Sequence, residues 1–392
     1  MTAAVAAPRR SGLTLLAALF VVALALRPQL VGAGPLIPEI SEDLVVSHAV
    51  AGLLGTIPVL AMGLFAPAAA PLAGRFGLRA VIAACVGAVA LFGVARAVVP
   101  GAPLVLALTL PVGVGMAVAG ALLPVAVKLR FSDRPAFASG VCTTGLNLGA
   151  AVSAAVAVPA AGALGGWRGA LTAFSLVAFT SFAGWLVLSR GTWRERTAAR
   201  PPRLPVGRPV VWMIVAVFGL QSLVYYGFTA WMPDAFQERG WSPAAAGALL
   251  AVMGVSTMVG GLGVPWLADR GGTRRTWLVA MAALAVASAL GLAAVPGGGF
   301  LWAAGTGIAV GALFPLCLTM CLDVADAAAD VGAAAALMFL AGYAIAAVAP
   351  LGLGAVRDLT GSFSTSLWAL VGVAVALLAA CLPLSPARLR PA

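Results

Sequence analysis

The side chains best suited to chemistry in this sequence are few, and the first is an arginine where arginines are costly. The stretch "VVALALRPQLVGAGPLIPEI", Val21 to Ile40, is apolar on both sides of Arg27-Pro28. A guanidinium is permanently charged, and its rigid fork of donors suits a carboxylate, cyanate or similar small anion. At the centre of a membrane such a charge costs at least about 2.5–3.5 kcal/mol on insertion scales, and it marks a functional site by default. Pro28 removes a backbone donor and distorts the turn. Unwound backbone at membrane depth is tolerated where it lines a cavity. Two readings of Arg27 stay open: it holds an anionic solute, or it pins carbonyls freed by the break at Pro28.

The candidate partners come from an internal repeat. Shifting the sequence by 195 lays Pro38, Ser47, Ala51, Gly52 and Leu54 over Pro233, Ser242, Ala246, Gly247 and Leu249. The same shift carries Leu26-Arg27 onto Gln221-Ser222 and places two polar side chains at the matching depth of the second half. Tyr225 and Tyr226 follow within one turn, so Gln221 with Tyr225 and Ser222 with Tyr226 form two pairs four residues apart. An amide and a phenol can orient a small polar solute beside a guanidinium. Asn147 and Tyr343 are weaker candidates, with helix–helix contact as the competing reading. Trp231 reads as part of an interfacial aromatic belt, and His48 as a surface residue. Glu39, Glu42, Asp43 and Asp234 fall near the outer mouth, where one of them could exchange a proton. No Asp or Glu falls in the middle of an apolar run.

The elements that must hold these residues are membrane helices. Of 392 residues, 62% are hydrophobic and 9% charged, against about a quarter charged in a soluble domain. Apolar runs of roughly 20 residues, the length that crosses the hydrocarbon, occur at about 13–36, 49–71, 80–99, 103–127, 137–161, 168–189, 210–233, 244–267, 276–295, 300–322, 332–355 and 363–384. The expected fold is all-α and integral to the membrane: twelve transmembrane helices in two parallel-repeat six-helix halves. Residues 1–189 form the N-terminal half, the Arg- and Pro-rich 190–209 a cytoplasmic linker, and 210–392 the C-terminal half. "PRRSGLTLLAALFVVALAL" imitates a twin-arginine leader, but Arg27 interrupts the bland region a cleavage site needs, so it reads as the first span.

Charge sets the orientation. With both termini in the cytoplasm, 18 of the 23 Lys and Arg residues lie on the cytoplasmic side; Arg96, Arg168, Arg239 and Arg357 lie outside, and Arg27 on neither side. This asymmetry explains the net charge of +11 better than nucleic acid does. Five cysteines, all inside apolar runs, argue against a disulfide framework or a metal site. No cofactor is expected. No phosphate-binding G-x-x-x-x-G-K-[ST] motif is present, and no nucleophile, base or metal set converges at depth, which disfavours an intramembrane enzyme.

Two cytoplasmic loops look like gates. "GGLGVPWLADRGGTRR" (260–275) resembles the G-x-x-x-D-R-x-G-R-R loop of the major facilitator superfamily, through Gly263, Asp269, Arg270, Gly272, Arg274 and Arg275. The first-half copy, "PLAGRFGLR" (71–79), keeps Arg75 and Arg79 but has Gly74 where the acid would be. Acid–arginine contacts at helix ends can hold one side shut and break when it opens. Further stretches resemble the cyanate and 2-nitroimidazole transporter branch of that superfamily: "LRPQLVGAGPLIPEI", "FGLQSLVYYGFTAWMPDAFQERGWSPAAAGALL", "GGWRGAL" and "GALFPLCL". The resemblance implies a monomeric transporter of a small, often anionic or polar solute in the plasma membrane. A proton is the candidate coupling ion, and the solute site lies near the midplane between the halves. The alternatives are a transporter-shaped sensor that binds solute without flux, and a drug or metabolite exporter of the same superfamily.

Overall fold

The computed structural model describes residues 9–131, 135–190, 204–268, 270, 273–323 and 328–384. Among these residues all regular structure is helical. Lipid cannot hydrogen-bond a peptide group, so each apolar run satisfies its own backbone by coiling. The result is twelve spans: α1 Gly12–Leu44, α2 His48–Phe76, α3 Leu78–Val98, α4 Ala102–Arg130, α5 Ala138–Leu164, α6 Trp167–Leu188, α7 Pro209–Glu238, α8 Pro243–Ala268, α9 Arg274–Ala294, α10 Gly299–Cys321, α11 Ala333–Thr360 and α12 Phe363–Cys381. We call the face where α1 begins proximal and the opposite face distal. The linker, apart from its ends, and Asp269 and Gly272 of the gate motif lie outside the described residues.

Three spans are broken. In α1 the first helix ends at Ala25, and Pro28 opens a new one as far as Val31. Leu30 and Val31 donate to the carbonyl of Arg27 at 3.1 and 3.0 Å, so the chain restarts within one residue of the charge. A 3-10 turn at Gly34–Leu36 bends it again. α2 is interrupted at Ala66–Ala68 and α11 at Ala347. Thr56 of α2 repairs the α11 break: its Oγ1 donates to the Ala347 carbonyl at 2.8 Å and accepts from Leu351 N at 3.1 Å.

The repeat is visible as matching local chemistry. Ser47 Oγ accepts from Val50 N and Ser242 Oγ from Ala245 N, each 3.3 Å, so the same residue caps α2 and α8. Glu39 accepts from Trp167 N at the start of α6, and Glu238 from Phe363 N at the start of α12. The two sets of six spans meet along α2 against α11 and α5 against α8. Glycine makes the approach close. A Cβ on Gly52 would strike the Pro350 carbonyl, and one on Gly354 the His48 carbonyl.

Candidate functional site

Arg27 sits at the N-cap of the helix that Pro28 restarts, half-buried at mid-span. Its Nη1 donates to the Tyr226 hydroxyl of α7 at 3.2 Å. That hydroxyl reaches Met62 Sδ of α2 at 3.6 Å. Tyr225 packs edge-on to Tyr226 with ring centroids 5.0 Å apart, and Tyr343 of α11 lies 6.3 Å from Tyr226. All three phenols are within electrostatic reach of the guanidinium, and the chain has three tyrosines in total. An aromatic wall continues behind them. Phe339 stacks on Tyr343 at 5.7 Å and 10°, and Phe218 meets both edge-on. Among the described residues Arg27 has no carboxylate partner. A fixed cation, phenol donors and flat apolar faces together suit a small planar anion or polar heterocycle.

A buried polar cluster stands behind the break. Gln29 is almost fully enclosed; its Nε2 donates to Ser175 Oγ at 2.7 Å and to the Leu171 carbonyl at 3.1 Å, both on α6. Arg96 of α3 donates through Nη2 to Gln29 Oε1 at 2.7 Å and to the Gln29 carbonyl, and through Nη1 to Thr109 Oγ1 at 3.2 Å. Arg96 is 1% exposed, so in the last turn of α3 it is enclosed by protein and is not a free loop cation. It is a second enclosed cation, held by neutral acceptors of α1 and α4. Arg96 thus holds the Gln29 carbonyl of the restarted helix, two residues from Arg27.

The other expected residues divide. Gln221 and Ser222 are buried at the same level of α7, and Gln221 Nε2 donates to Ser222 Oγ at 2.7 Å. The contact to Arg27 comes instead from Tyr226, one turn on. Asn147 is half-buried on α5, one turn from Ala151, which meets Gly254 of α8. Trp231 is not in an interfacial belt: it is 1% exposed and its Nε1 donates to the Pro350 carbonyl at 2.7 Å. His48 is not a free surface residue either, since Asp358 of α11 accepts from it.

On the proximal side, Arg79 donates to Ser189 Oγ and the Leu186 carbonyl at 2.9 and 2.8 Å, and Arg275 to the Leu382 carbonyl at 3.1 Å. These are equivalent staples, α3 to the end of α6 and α9 to the end of α12. Arg274 donates to the Thr319 carbonyl at 3.1 Å. Arg75 lies over the Phe76 ring and Arg270 over Trp266. Each of these contacts stays within one set of six spans. Sequence reasoning passed over Gln29, Met62 and the Phe218–Phe339 wall. Gln29 carried a signal, as an amide two residues from Arg27 inside an apolar run.

Twelve apolar helices enclosing a charged, aromatic-lined centre define a multi-pass membrane protein built to admit a solute. A family model for the Major Facilitator Superfamily matches residues 13–350. The 2-nitroimidazole transporter of Escherichia coli (strain K12) is 31% identical over 386 residues, 96% of this chain and 95% of that protein. The cyanate transport protein CynX of the same strain is 30% identical over 351 residues, 89% of this chain and 91% of that one. Among solved structures, a bacterial homologue of the human lysosomal transporter Spinster, inward-facing and occupied, aligns with a TM-score of 0.74 at 17% identity, covering 96% of both chains. The nucleoside transporter NupG aligns at 0.75 and 14% identity, over 95% of this chain and 99% of that one. The chain belongs to the major facilitator superfamily, whose members are membrane transporters and not enzymes.

Proposed function

We propose that the protein is a secondary active transporter of a small polar or anionic solute, a cyanate-like anion, small carboxylate or nitro-heterocycle. It works by alternating access between two six-helix halves, 1–189 and 210–392, joined by the linker 190–209. The observation that carries this reading is the convergence of Arg27 from the first half with Tyr225, Tyr226 and Tyr343 from the second. Solute placed there touches both halves, so its binding energy can differ between their two arrangements, as coupling requires. The names of the two relatives support the solute class. Arginine asymmetry supports a plasma-membrane orientation with the proximal face, linker and termini cytoplasmic. The loops carrying Arg75, Arg79, Asp269, Arg270, Arg274 and Arg275 then form the cytoplasmic gate, and in the arrangement described here the arginines rest on their own halves.

Counterflow of labelled cyanate and 2-nitroimidazole into proteoliposomes tests this reading. Wild type should exchange solute, and Arg27→Ala should lose it by tenfold or more while melting normally. Arg27→Lys should fail as well, because an ammonium lacks the forked geometry. Unchanged flux in a folded Arg27→Ala protein would refute the site, and binding without counterflow would make the protein a sensor.

A further inference from the structure

The distal closure traps the one histidine of this chain between two carboxylates. His48 opens α2, and Asp358 of α11 accepts from its backbone N at 3.0 Å, from Ala49 N at 2.8 Å, and lies 2.9 Å from its Nδ1. A carboxylate taking two backbone donors is ionised and accepts only, so Nδ1 carries a hydrogen. The opposite ring nitrogen, Nε2, faces Asp234 Oδ2 of α7 at 4.0 Å. That oxygen is buried and has no hydrogen-bond partner among the described residues. A neutral imidazole would turn a lone pair toward the lone pairs of Asp234. One more proton removes the conflict, as an imidazolium donating to both sides or as a protonated Asp234.

The surroundings do not supply that neutralisation otherwise. Glu42 of α1 and Glu238 of α7 add negative charge near Asp234, and Arg357 of α11 adds positive charge. Arg357 is shared, with its Nη2 3.4 Å from Glu238 Oε1. The remaining faces are aromatic, Trp231 at 5.9 Å and Phe363 of α12 at 5.4 Å from the His48 ring.

We infer that His48 and Asp234 form a proton-binding site that is assembled only while the distal sides of the two halves are together. His48 belongs to the first six spans, and Asp234 and Asp358 to the last six. The inference rests on the alternating-access reading, in which opening the distal side parts His48 from both acids. The proton bound by the pair is then released, so binding and closure are linked. Acid at the distal face favours closure. That preference is lost as rising pH removes the proton from the closed pair.

The single histidine makes the test direct. Full-length protein carrying a tag without histidine, labelled with 15N-histidine and held in lipid nanodiscs, gives one imidazole to titrate by NMR. The midpoint should be lower in Asp234→Asn than in wild type, because the second carboxylate facing the ring is gone. Deuterium exchange of residues 44–52 and 357–363, corrected for intrinsic pH dependence, should rise over the same interval in wild type and not in His48→Gln. An equal midpoint in Asp234→Asn, or identical exchange profiles in wild type and His48→Gln, would each overturn the inference. Solute exchange at equal pH on both sides reads transport alone. Its loss in wild type would remove the transport reading, while the titration still decides whether the proton site exists.

Discussion

The hydrogen bond from Arg27 to Tyr226 uses one of the five donors of the guanidinium and leaves the others for an anionic solute. Tyr226→Phe keeps the ring and removes the acceptor, leaving the guanidinium short of a partner at a cost of about 1 kcal/mol. Its melting temperature without solute should drop slightly, and the shift produced by cyanate should shrink, because the solute loses a phenol donor. Thermal unfolding with and without cyanate measures both. Arg96 acts differently, since it serves the backbone of the break. Arg96→Met strands the Gln29 carbonyl, Gln29 Oε1 and Thr109, and should cost about 3 kcal/mol or more at about 1–3 kcal/mol for each enclosed acceptor. Adding Gln29→Leu should recover part of that loss, which denaturant unfolding of the single and double variants will show. Arg27 was legible because a charge in the middle of an apolar run has no bland explanation. Arg96 was not. It precedes "AVVPGAP", where any arginine passes for a loop cation, and its acceptors lie 67 and 13 residues away on other helices. His48 lies at the surface, and its partner Asp358, 310 residues off, was not legible for the same reason.

Among the elements, the seams between the halves depend on glycines that accept a neighbouring carbonyl at backbone distance. Gly52 faces the Pro350 carbonyl across the α2–α11 seam, whereas Gly149 of α5 faces the Leu24 carbonyl of α1 inside the first half. A methyl group at either has no room, and overpacking of this kind costs about 1–3 kcal/mol. The consequences should separate. Gly149→Ala should lower the unfolding temperature, because it strains one half. Gly52→Ala should instead weaken the distal closure and raise deuterium exchange of residues 44–52, with a smaller loss of unfolding temperature. Hydropathy located the starts of these spans within about two residues because an apolar run in lipid has few options, but α1 runs eight residues past its expected end and α2, α7 and α11 five, through polar distal or proximal turns. The breaks inside α2 and α11 escaped notice, since neither interrupts the run with a charge and Thr56, which repairs one, looks unremarkable in sequence.

At the scale of the whole molecule, the repeat distributes its chemistry unevenly. The capping serines and the acids that start α6 and α12 recur in both halves, so the scaffold is duplicated. The site is not: the mid-span cation belongs to the first half and the phenols to the second. Duplication is what made the architecture readable by shifting the sequence against itself, and the lack of it at the centre is why the shift fell on Gln221 and Ser222, while Tyr226, nominated beside them, makes the contact. This asymmetry has an electrical consequence. With no carboxylate beside Arg27 among the described residues, the vacant site between the halves holds an uncompensated positive charge, besides the enclosed Arg96 of the first half; a charge crossing the full field feels about 2.3 kcal/mol per 100 mV. A monovalent anion cancels it. Voltage should therefore act on the return of the vacant carrier and leave the loaded one indifferent. Voltage jumps on a reconstituted bilayer should give a transient current in wild type that saturating cyanate on both sides silences and that Arg27→Gln never shows.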